Sequence, residues 1–119
     1  MADLETSLNE IMALDGALCC SIVDSNNGML MAGNGSGLDI EIASAGNSEV
    51  VKAKLNTMKM LKLNDVIEDI LITLGKQYHI IRPITTISGV FVYAVLDKNK
   101  ANLALARRKI QDIEQVLQF

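Results

Sequence analysis

The stretch Val66-Ile-Glu-Asp-Ile-Leu-Ile-Thr-Leu-Gly-Lys-Gln-Tyr-His-Ile-Ile-Arg-Pro-Ile-Thr-Thr-Ile-Ser-Gly-Val-Phe-Val-Tyr-Ala-Val-Leu96 decides the fold. Two turn signals, Gly75-Lys76 and Ser88-Gly89, split it into three runs rich in β-branched and apolar residues. Such runs favour strands, and glycine at a reversal supplies the backbone freedom a tight turn needs. Strands are expected over Val66 to Leu74, Gln77 to Ile84 and Val90 to Leu96, joined as an antiparallel meander. Pro83 falls near the end of the middle run, where loss of one ladder donor is tolerated. Glu68 and Asp69 sit in the first run. Charges on a strand protect an exposed edge from unwanted pairing, and they can equally flank a specific edge-to-edge contact between two copies. The sequence leaves both readings open.

Working outward, residues 3 to 14 place Leu4, Leu8, Ile11 and Met12 at helical spacing, and Asp15-Gly16 closes that helix. Residues 17 to 23 read as a buried strand carrying the adjacent Cys19 and Cys20. Asp24-Ser25-Asn26-Asn27-Gly28 is a hairpin turn, and Met29 to Ala32 returns as a second strand. Gly33-Asn34-Gly35-Ser36-Gly37 then stands between strand and helix, the context of phosphate-binding loops. It lacks their chemistry: Leu38 and Asp39 follow where a P-loop needs lysine, the dinucleotide spacing fails at Leu38, and Asp39 would repel an anion. It is read as a flexible connector.

Leu38 to Leu61 reads as one long helix with two apolar stripes. Ile40, Val51, Leu55 and Met58 suit the covering of a sheet. Ile42, Gly46, Ala53 and Met60 lie on nearly the opposite side. A surface helix of a monomer needs one apolar face, so the second stripe suggests contact with another chain, with Gly46 and Ala53 permitting close approach. From near Asn99 to almost the end, Leu103, Ala106, Ile110, Ile113 and Leu117 form a single core-facing stripe. Arg107, Lys109, Gln111, Asp112 and Glu114 take the other positions, with Arg107, Arg108 and Lys109 as a solvated helix face. The element order is α-β-β-α-β-β-β-α, an α+β domain with a five-stranded antiparallel sheet. No parallel βαβ series supports a Rossmann fold.

Composition narrows the function classes. The 119 residues suit one domain, residues 1–119, and half are hydrophobic. A net charge of −3 and the lack of a concentrated basic surface argue against nucleic acid. No apolar run approaches a bilayer span. Asp3 and Glu5 stand where a signal peptide would be basic, and two buried, unpaired thiols suit a reducing compartment, so a cytoplasmic location is expected.

These segments together resemble the roadblock family of dynein-associated light chains and bacterial regulators of Ras-like GTPases. Three stretches carry the likeness: Leu8-Asn9-Glu10-Ile11 through Asp15-Gly16-Ala17 into Ile22-Val23-Asp24 and Asn27-Gly28; the long helix with Ala43, Ala45, Ala53 and Leu61; and Val95-Leu96-Asp97 followed by Ala101-Asn102-Leu103-Ala104-Leu105-Ala106-Arg107. The resemblance spans about residues 4 to 117. It implies a roadblock-like (profilin-like) fold with helices on both faces of the sheet. It further implies a homodimer in which third strands pair edge to edge and second helices pack side by side, with Ile42, Gly46, Ala53, Met60, Val66, Glu68, Ile70 and Ile72 at the interface. The expected partner is a small Ras-like GTPase whose nucleotide cycle the dimer modulates, met across the helix face by Lys52, Asn56 and Lys59. A scaffold or motor-associated light chain is the alternative. A small-ligand-sensing module is a further one, disfavoured by an aromatic content of 3%.

No catalytic constellation emerges. His79 is the single histidine and lies inside an apolar strand. Cys19 and Cys20 sit in an apolar run rather than an electropositive cleft. Glu68 and Asp69, being adjacent on a strand, point to opposite faces. No CxxC, HExxH or calcium loop is present. The chain is therefore expected to be no enzyme, to need no cofactor or metal, and to supply no arginine finger from Arg82, Arg107 or Arg108.

Overall fold

A computed structural model describes residues 3–117. Its elements are α1 (Leu4–Met12), β1 (Ala17–Asp24), β2 (Met29–Gly35), α2 (Ile40–Met60), β3 (Ile70–Thr73), β4 (Gln77–Pro83), β5 (Val90–Asp97) and α3 (Leu103–Val116). The strands form one antiparallel sheet in the order β2-β1-β5-β4-β3, so β2 and β3 are its edges. Each helix begins with a side-chain cap: Asp3, Asp39 and Asn102 accept from Thr6, Ile42 and Leu105 backbone N–H groups.

Alternation along the strands divides the core between two faces. On one face Leu8 and Ile11 of α1 and Ala106, Ile110 and Ile113 of α3 pack on Cys20, Ile22, Ile80, Val92, Ala94 and Leu96. On the other, Val51 of α2 meets Cys19, Val23, Ile81, Phe91, Tyr93 and Val95. Helices on both faces and the element order agree with the sequence-based expectation.

Four details differ from it. First, β2 continues through Gly33, Asn34 and Gly35, which pair with Ser21, Cys20 and Cys19; the glycine-rich segment is largely strand, not a flexible connector. Close approach requires one of its glycines. A Cβ on Gly35 would collide with the Leu18 carbonyl and Cys19, and its φ is +89°, whereas one on Gly33 would make only ordinary contact with the Ile40 side chain at 3.5 Å. Second, β3 covers only Ile70–Thr73. Continuing the ladder would oppose Glu68 to Pro83, which has no N–H to give. Asp69 instead accepts two bonds from Arg107 of α3, at 2.9 and 3.0 Å. Third, Leu55 is exposed: it lies about 40° round the helix from Val51, on a flank nothing covers. The sheet-facing positions near Val51 are filled by Ser44 and Ser48, whose hydroxyls bond back to the Ile40 and Ser44 carbonyls at 2.6 and 2.7 Å. Fourth, Glu114 is buried rather than on a solvated face. It accepts from Arg82 Nε at 3.0 Å and from the Thr85 hydroxyl at 3.2 Å, joining α3 to the end of β4.

Candidate interaction surface

α2 packs against β1 and β2, leaving a trough between the helix and the β3 edge. Near the helix's second half the trough has a volume of about 540 Å³, walled by Val50, Lys54 and Met58 on one side and Val66, Glu68 and Ile70 on the other. Along the first half a second hollow of about 320 Å³ lies between Ile42, Gly46 and Asn47 and the sheet residues His79 and Tyr93. Its character is apolar at the walls and polar on the floor.

The floor is a hydrogen-bonded chain. His79 Nε2 lies 2.9 Å from Gln77 Oε1, and His79 Nδ1 lies 2.9 Å from the Tyr93 hydroxyl. Gln77 Oε1 can only accept, so the imidazole proton sits on Nε2 and Tyr93 donates to Nδ1. Asn47 of α2 lines the same hollow as the Tyr93 hydroxyl. Burial lowers the His79 pKa below its ordinary value and raises that of Tyr93, so the chain holds a neutral imidazole.

The residues expected at an interface divide in their placement. Ile42 and Gly46 line the first stretch of the trough, and Val66, Glu68 and Ile70 the second. Val66 and Glu68 reach it from the segment before β3 rather than from the strand. Ile72 shares the α2-bearing face of the sheet with Ile70. Ala53 and Met60 stand on the helix's outer rim, where Ile42 and Met60 are 71% and 68% exposed. Lys52, Asn56 and Lys59 lie on the flank of α2 turned away from the trough, as helical spacing from Val50 and Lys54 requires.

Sequence reading missed Asn47, Val50, Lys54, Leu63, His79 and Tyr93 as trough residues. Val50 and Lys54 continue the i, i+4 line from Ile42 and Gly46, a signal that was available. The other residues enter through strand register, which no local pattern shows. Gly46 is distinctive: a Cβ there would meet nothing within 4 Å. A glycine inside a helix costs stability, and here no neighbour within the chain requires it.

The remaining reactive groups are engaged or inert. Arg82 binds Glu114, Arg107 binds Asp69, and Arg108 lies 3.4 Å from Asp112. Burial pushes the Cys20 thiol up to about 12, and its sulfur lies against the Leu8 carbonyl. Among the described residues no group of three or more His, Cys, Asp or Glu is arranged to hold a metal, and no helix is long and apolar enough to cross a membrane.

No protein-family model and no curated protein matches the sequence. Solved structures do match, and they define the class: this is a roadblock/LC7-type fold. MglB from Myxococcus xanthus superposes with a TM-score of 0.82 at 17% identity, covering 94% of this chain and 89% of that one. A Roadblock/LC7 domain from Streptomyces avermitilis gives 0.80 at 10% identity, covering 96% and 93%. A further MglB structure, described as having a tetrameric arrangement, gives 0.71 at 13% identity, covering 92% and 85%.

Proposed function

We propose that this chain is a single roadblock-type domain that pairs with a second copy of itself and, as a dimer, docks a small Ras-like GTPase and modulates its nucleotide cycle in the cytoplasm without doing chemistry of its own. The observation that carries the self-pairing is Gly46, a helix-interior glycine facing empty space beside an exposed apolar trough. A second α2 laid alongside would use that space, and the uncovered β3 edge next to it offers backbone groups for strand pairing. The likeness in fold to MglB structures, one of them in a tetrameric arrangement, supports the reading. Two copies would bring Ile42, Gly46, Val50, Ile70 and Ile72 together. Lys52, Asn56 and Lys59 would remain on the outer flank for the GTPase.

Light scattering on the purified chain, followed by binding to a candidate GTPase loaded with GTP or GDP, tests this reading. A dimer that binds one nucleotide state preferentially is expected. A monomer at micromolar concentration would defeat the self-pairing, and binding indifferent to nucleotide would favour a scaffold. Arg82, Arg107 and Arg108 are each held by a carboxylate within the chain, so replacing each in turn is expected to leave any stimulation of GTP hydrolysis largely intact. A collapse of stimulation with unchanged binding would instead identify an arginine finger.

A further inference from the structure

All fourteen acidic residues lie outside the segment 50–64, while four of the eleven basic residues, Lys52, Lys54, Lys59 and Lys62, lie inside it. The second half of α2 is thus locally positive on a chain of net charge −3. Lys54 faces the trough opposite Asp65 and Glu68. The other three do not. Lys52 and Lys59 share the averted flank of the helix with Leu55 and Asn56, and Lys62 follows the C-cap Leu61. Lys52 lies 3.9 Å from Glu49, a loose and solvated pair, and among the described residues no ion pair forms at Lys59 or Lys62.

The helix dipole accounts for Lys59 in the last turn, but its influence fades within that turn and leaves Lys52 unexplained. Lys62 is more telling. Its φ of 56° makes it the single non-glycine with positive φ among the described residues. It closes the helix in the left-handed conformation, with Leu63 N–H donating to the Met58 carbonyl at 3.0 Å and Lys62 N–H to the Lys59 carbonyl at 3.1 Å. Glycine takes that position with no side-chain penalty. Lysine there is strained, and beside Lys59 it is also repelled by a like charge. The cap hydrogen bonds would form equally with glycine, and among the described residues no carboxylate pairs with Lys59 or Lys62.

We propose that Lys52, Leu55, Lys59 and Lys62 form a docking surface for an acidic segment of a partner protein, with Leu55 as its apolar contact. The proposal rests on the chain being a docking module, but it requires neither self-pairing nor a GTPase. Charge complementarity selects an acidic occupant. A protein is favoured over an anionic bilayer because Leu55 is the one large apolar side chain on this flank, too little apolar surface for insertion among lipid chains.

The probe is a fluorescein-labelled peptide of repeated Glu-Glu-Leu units, titrated with the full chain and followed by anisotropy, with a Lys-Lys-Leu peptide as control. The native chain should bind the acidic peptide alone, and more weakly as salt rises. Lys52→Gln and Lys59→Gln should each weaken binding about two- to fivefold. Lys62→Gly should weaken it similarly while raising the melting temperature, which separates lost charge from lost fold. The proposal is overturned if the native chain ignores the acidic peptide or if the three substitutions leave binding unchanged. It is equally overturned if phosphatidylserine vesicles, rather than the peptide, show the lysine dependence. Peptide binding by a chain that binds no GTPase would sink the GTPase reading alone. A chain that binds the GTPase but not the acidic peptide would sink this one alone.

Discussion

Replacing Gly46 with alanine should make the isolated chain more stable and its self-association weaker. Alanine is better than glycine in a helix interior by about 1 kcal/mol, because glycine loses more backbone freedom on folding. The new methyl meets nothing within 4 Å, so no steric cost subtracts from that gain within one chain. A gain of about 0.5–1 kcal/mol corresponds to a rise in Tm of about 2–5 °C for a domain of this size. In a dimer the same methyl occupies the space reserved for the second helix and pushes the helices apart. Overpacking of a close contact costs about 1–3 kcal/mol, or roughly a 5- to 150-fold rise in the dimer Kd. Thermal melts at a concentration low enough to hold monomer, beside sedimentation equilibrium across a concentration series, read the two effects separately. Gly46→Leu should leave the monomer folded and abolish association. A Gly46→Ala chain that is less stable as a monomer would show that the glycine serves its own chain. One that is stabilised and associates undiminished would show that no second backbone approaches there.

Other expected outcomes bear on the frame around the trough. Arg82→Ala strands the Glu114 carboxylate in a pair buried on both sides and should cost about 2–4 kcal/mol in urea denaturation, whereas Arg107→Ala strands Asp69 but removes a half-exposed guanidinium and lets water in, and should cost less, about 1–2 kcal/mol; equal losses would contradict the difference in burial of the two arginines. Gly35→Ala forces a methyl into the Leu18 carbonyl and Cys19 at a positive φ, and should destabilise by about 2 kcal/mol or more. Retained stability would mean that β2 bends away at no cost. His79 is held neutral by burial, with its folded pKa lowered from 6.5. Its contribution to stability is therefore complete above the unfolded value and is lost as pH falls through the folded one, because only the unfolded chain takes up the proton in that interval. A His79→Gln chain should lack this part of the acid slope, and identical pH profiles for the two proteins would refute the assignment.

Much of the fold was legible because its signals are local. The three-run meander, the Asp24–Gly28 turn and the stripe on α3 each lie within a short window, and the structure reproduces their order. The departures arise where distant residues compete. Glu68 and Asp69 sit in a run that reads as strand, yet Pro83 across the ladder and Arg107 on a remote helix end the pairing at Ile70. Gly35 reads as loop because the Leu18 carbonyl and Cys19, which demand it, act only once the sheet has formed. Glu114 falls on the polar side of a clean helical stripe and is buried by Arg82. Half of the candidate surface, the Ile42 and Gly46 line, was visible as helical periodicity. His79 and Tyr93 were not, since they meet Asn47 only through strand register.

The serines beneath α2 have a consequence for how the molecule breathes. Val51 and Met58 are the buried apolar side chains on this helix, while Ser44 and Ser48 spend their hydroxyls on its own carbonyls. α1 buries as many apolar side chains, Leu8 and Ile11, in less than half the length, and α3 buries Ala106, Ile110 and Ile113. Amide hydrogens of α2 should therefore exchange through a partial opening well below the global unfolding free energy. A second copy seated in the trough would slow that exchange as protein concentration rises, so the protection of one helix would report the occupancy of its neighbour's surface.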